Sequence, residues 1–102
     1  MTDAELMALT RKTIQSNSRL IRAELLRLRA GMSNIPRSNV TPIAHLRDRA
    51  ADMHRAAHSG DPVRRLLAYT MDPTGAHILK CVVCRVHNLP APGRLKLPEV
   101  AE

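Results

Sequence analysis

Aromatic side chains are almost absent from this sequence: it has no Trp, no Phe and a single tyrosine, Tyr69. The core must therefore be built from Leu, Ile, Val, Met and Ala, which bury less area per residue than rings do. The same absence excludes a stacking platform for single-stranded nucleic acid, which needs several rings. It also removes the ring anchors that hold an amphipathic helix on a membrane surface.

Glycine is scarce as well, with 4 residues in 102, and none falls in a phosphate-cradling loop. There is no Gly-x-Ser-x-Gly elbow and no His-Glu-x-x-His helix. Acids are few, 9 against 16 Lys and Arg, and they are spread along the chain, mostly at helix starts. Asp48 and Asp52 stand one helical turn apart, a spacing better suited to surface pairing with Arg47, Arg49 or Arg55 than to acid–base work. No enzyme activity and no small-molecule substrate are expected.

Long apolar runs are missing too. No segment reaches the ~18 residues that a membrane-spanning helix requires, and "MTDAELMALT" has acids where a secretory leader would have a basic start and an apolar stretch. Two cysteines are too few for a disulfide framework and read as thiols or ligands. The expectation is a cytoplasmic protein with no membrane partner.

What the chain does have is positive charge: +7 formally, with an isoelectric point near 10.7. Its cations are 13 Arg and 3 Lys. Such a balance points to a polyanionic partner. With stacking excluded, arginine contact with a duplex backbone is the form to expect. The plain alternative is a solvated basic surface. At 102 residues the chain makes one domain with a modest core. Such a core needs help from self-association, a partner or a metal.

Three dipeptides punctuate the sequence: Thr41-Pro42, Asp61-Pro62 and Asp72-Pro73. Each sets a capping side chain before proline at the first helical position, where no backbone N–H is needed. Thr2 and Glu5 have the spacing of a capping box, a fourth start. Four starts and no clean strand alternation predict an all-α, four-helix orthogonal or bundle-like domain over residues 1–89. The tail "LPAPGRLKLPEVAE" carries three prolines, so residues 90–102 are expected to form an extended arm.

The first predicted helix is long, Asp3 to Ala30. Its apolar face holds Leu6, Leu9, Ile14, Leu20, Ile21, Leu25 and Leu28; Arg11, Lys12, Arg19, Arg22 and Arg29 fall opposite. Those five cations cover about 27 Å at about 1.5 Å per residue, enough to follow several phosphates. The polar run Thr13–Ser18 predicts a bend near Ser16–Ser18, where Asn17 interrupts the apolar stripe. Arg64 and Arg65 form a second basic group on the third helix, opposite the residues expected to face inward, Val63, Leu66, Leu67 and Thr70.

The most pointed stretch is "HILKCVVCRVH", residues 77–87, which holds both cysteines and two of five histidines. On a helical wheel Ile78, Leu79, Val82 and Val86 share one face, and His77, Cys81 and Cys84 the other. Three readings compete. A central helix buried on both faces would use the thiols as small packing groups. A tetrahedral zinc site would take Cys81 and Cys84 together with His54 and His58 from "MHRAAH", with His77 as a substitute. A redox dithiol would need Cys81 at a helix start after a strand, which the pattern does not provide. The buried helix is the preferred reading, without a cofactor, and zinc is the alternative.

Two functions follow. One is a small regulatory or architectural protein that contacts nucleic acid through Arg11, Lys12, Arg19, Arg22, Arg29, Arg64 and Arg65. The other is an assembly subunit whose long first helix forms a homo-oligomer or docks on a protein partner.

Overall fold

The computed structural model describes residues 1–31, 42–90 and 92, with residues 31 and 42–45 described by their backbone alone. Its four helices are α1 (Asp3–Gly31), α2 (Pro42–Ala57), α3 (Pro62–Tyr69) and α4 (Pro73–Val86), and no strand occurs among the described residues. The fold is all-α. Most of residues 90–102, the expected arm, lies outside the described residues.

The helix starts follow the capping chemistry. Thr2 N–H donates to Glu5 Oε1 and Glu5 N–H donates to Thr2 Oγ1, each at 3.1 Å, which closes the reciprocal box. Asp61 Oδ1 accepts from Val63 N–H at 3.0 Å and from Arg64 N–H at 3.4 Å. Asp72 Oδ2 accepts from Gly75 N–H at 2.9 Å. Both aspartates precede a proline that starts its helix. Thr41, the cap expected for α2, lies outside the described residues.

α1 bends where its polar run predicts. Asn17 leaves helical geometry, with φ −152° and ψ 55°, and its side chain is exposed. Just upstream, Thr10 and Thr13 turn their hydroxyls back onto the carbonyls of Leu6 and Leu9, each at 2.7 Å. Such back-bonding lets threonine sit in a buried helix face and loosens the backbone that follows.

The core is one cluster drawn from every helix. Ile14, Ile21 and Leu25 of α1 meet Ala50, Met53 and Ala57 of α2, Leu66 of α3, and Ile78, Leu79, Val82 and Val83 of α4. α1 packs against all three other helices, and α2 against α3 and α4. Small residues on α2 admit its neighbours closely, which suits a core without rings. Leu20, placed by the wheel on the apolar face of α1, is 37% exposed. At about 100° per residue the buried Leu6, Thr10, Thr13 and Ile14 before Asn17 and Ile21, Glu24 and Leu25 after it share one arc, and Leu20 stands at its edge, where it is only partly covered.

α4 is buried on both sides: Ile78, Leu79 and Val82 are inside, and so are Val83 and Cys84. It ends in a Schellman motif. Leu89 N–H donates to Cys84 O at 2.8 Å and Asn88 N–H to Arg85 O at 3.2 Å. Asn88 holds the left-handed position with φ 55°. Asn is among the few non-glycine residues that visit that region readily.

Candidate nucleic-acid interface and the histidine–cysteine groups

The charged side chains separate into two populations. Arg27 pairs with Glu24, Arg47 with Asp48, Arg49 with Asp72, Arg55 with Asp52, Lys80 with Asp3, and Arg85 with Glu24. Glu5 and Asp61 are engaged in helix caps, and Asp72 both caps α4 and faces Arg49. Every acid among the described residues is thus in use. The remaining described cations, Arg11, Lys12, Arg19, Arg22, Arg29, Arg64 and Arg65, have no ion pair with a described acid. These are the seven singled out from the sequence.

Their placement differs in two respects from the single stripe expected on α1. The break at Asn17 divides Arg11 and Lys12 from Arg19, Arg22 and Arg29. Arg22 is half-buried rather than outward, and its Nε is buried without a hydrogen-bond partner. It flanks α2 rather than crowning the exposed face, because Ile21 and Leu25 draw that side of the helix inward. Arg11, Lys12, Arg19, Arg29, Arg64 and Arg65 are exposed. Arg65 folds back over the turn at Gly60, its guanidinium 3.2 Å from where a Cβ would stand.

His54 and His58 lie at the end of α2, one turn apart. Their Nε2 atoms are 3.1 Å apart and their rings meet edge-to-face at a centroid distance of 4.4 Å. Burial holds the His54 imidazole below its ordinary pKa of 6.5, helped by the charges of His58, Arg29 and Arg22. Two arginines of α1 therefore share this corner with the histidine pair.

The cysteines are elsewhere in their surroundings. Cys84 is 3% exposed and Cys81 is half-buried, with its Sγ 3.5 Å from His77 Nε2. Burial pushes both thiols above their ordinary value; Cys84 raises Cys81 further. Among the described residues no three His, Cys, Asp or Glu are grouped so as to hold a metal ion. The set His54, His58, Cys81 and Cys84 is accordingly not gathered at one point. Cys84 turns into the core, while the histidine pair faces the α1 arginines.

Several contacts had no sequence signal strong enough to find them. Thr13 Oγ1 lies 3.0 Å from His87 Nε2, joining the middle of α1 to the end of α4. Lys80 Nζ reaches Asp3 at 2.7 Å. Glu24 and Arg85 share with Cys84, Asn88 and Leu89 the lining of an open cleft of about 500 Å³. Each pair is far apart in the sequence, so only the packing of α4 on α1 brings it together. No helix among the described residues is long and apolar enough to cross a membrane.

No family model, curated protein or solved structure matches the chain.

Proposed function

We propose that this protein binds nucleic acid by contacting the phosphate backbone of a duplex. The observation that carries this reading is the division of its cations: the described acids are consumed by six basic residues and by helix caps, which leaves Arg11, Lys12, Arg19, Arg22, Arg29, Arg64 and Arg65 uncompensated. Uncompensated cations carry counterions or phosphates, and exchange of one for the other makes binding depend steeply on salt. Arginine also matches phosphate oxygens with a planar fork of donors. The scarcity of rings argues for backbone contact over base stacking.

Titration of a random-sequence duplex at several salt concentrations tests the reading. Log affinity falls linearly with log salt, with a slope of about −0.9 per phosphate contact. Arg19→Ala together with Arg29→Ala weakens binding on every duplex sequence and reduces the slope by about one for each arginine. Absence of binding to duplex or single strands at low salt removes the proposal.

A second reading, an assembly or partner-docking subunit, draws on the outer face of α1. Leu20 and Leu26 are 37% and 47% exposed there, with Ala23 and Ala30 also outward. Sedimentation separates the two: a concentration-dependent oligomer that dissociates in Leu26→Glu supports assembly, and a monomer at high concentration counts against it.

A further inference from the structure

We propose that His54 and His58 form a two-imidazole chelate for a late first-row divalent cation, zinc or nickel, at the end of α2. The inference is independent of nucleic-acid binding. It differs from the four-residue set that was the alternative reading of the sequence, and uses a smaller one from a single helix end.

Two features carry it. The first is distance: the two Nε2 atoms face each other at 3.1 Å. Two imidazole nitrogens on one tetrahedral zinc stand about 3.3 Å apart, given bonds of about 2.0–2.1 Å. Little movement is needed to receive the ion between them, once the proton that one Nε2 donates to the other has shifted to that ring's Nδ1. The second is the scaffold. His54 sits in the last turn of α2, and the turn that follows keeps the spacing, with His58 N–H donating to Arg55 O at 3.1 Å and Ser59 N–H to Ala56 O at 3.2 Å. His58 is exposed, so the open side of the pair faces water, which fills the other coordination positions.

The neighbouring charges act against the ion. Arg22 and Arg29 lie close enough to disfavour positive charge on His54, and they disfavour a divalent cation for the same reason. Removing Arg29 therefore tightens metal binding. A purely adventitious contact of two rings predicts no such response.

Isothermal titration of Zn²⁺ into the full chain, made without a histidine tag and kept reduced with a phosphine, tests the site. One ion per chain is expected, with saturable binding lost in His54→Ala and in His58→Ala. Binding persists in Cys81→Ser and in Cys84→Ser and is tighter in Arg29→Gln. His58 is exposed, so an unchanged thermal melt of His58→Ala separates loss of a ligand from loss of the fold. No saturable uptake by the unaltered chain overturns the proposal. So does uptake that survives both histidine substitutions or disappears with either cysteine.

Discussion

A Cβ added to Gly75 would stand 2.6 Å from the backbone carbonyl oxygen of Tyr69, closer than carbon and oxygen can approach without movement. Gly75 lies in the first turn of α4, capped by Asp72, and Tyr69 ends α3. The close approach lets two helices join through three residues. Because the obstructing atom is backbone, relief requires the α3–α4 turn itself to shift. Gly75→Ala should destabilise the fold by about 1–3 kcal/mol despite the better helix propensity of alanine. Chemical denaturation checks it; an unchanged or higher midpoint would show that the turn yields freely.

Leu25 and Leu26 are sequence neighbours with opposite environments, 0% and 47% exposed. Leu25→Ala removes a side chain packed in the common core and should cost about 2–5 kcal/mol. Leu26→Ala should stay within about 0.5 kcal/mol, as surface changes do. Equal effects at the two positions would mean that the register of α1 after Asn17 is not the one described.

The thiols offer a kinetic test of the buried-helix reading of α4. Burial raises both above the ordinary thiol value, so little thiolate exists near neutral pH. Thiolate is the reactive form. Cys81, half-buried, should react slowly with iodoacetamide, and Cys84 should react only as the chain unfolds. Mass spectrometry resolves the two sites. Rapid joint oxidation of Cys81 and Cys84 would instead identify a working dithiol.

The local signals in the sequence were reliable because their physics is local. Asp61, Asp72 and the Thr2–Glu5 box cap within three residues of themselves, and their helices begin where those signals stand. The bend at Asn17 followed likewise from a run of polar residues. Burial of Ile14, Ile21 and Leu25 followed from periodicity. What stayed hidden depends on the relation between helices. Arg47 is buried at 7% exposure, and nothing in its own neighbourhood announces that. Arg22 is half-buried with its Nε out of solvent, and the Lys80–Asp3 pair exists only because α4 packs on α1. For the metal set, residue types were visible but directions were not: Cys84 is buried in α4, and no three such residues are grouped to hold a metal ion among the described residues.

Acid should weaken the fold in a window that histidine sets. His77 is half-buried beside Cys81, and burial, then the charge of Lys80, holds its pKa below the ordinary 6.5. In the unfolded chain that restraint is gone, so near and below pH 6.5 the unfolded state binds more protons than the folded state. Proton uptake then favours unfolding. The contribution is fully present above about pH 6.5 and is lost as pH falls through the lower, folded-state value. His54, also lowered mainly by burial, acts in the same sense. Glu5 follows in a more acidic window, because the hydrogen bonds from the Thr2 backbone and hydroxyl hold its carboxyl below 4.5. Melting temperature should therefore be level from pH 8 to 7 and decline from pH 6.5 downward. His77→Gln cannot take up the proton, so its decline between pH 6.5 and 5.5 should be shallower than that of the unaltered chain. A melting temperature that holds or rises on acidification to pH 5.5 would place His77 in open solvent, contrary to its half-buried position on α4.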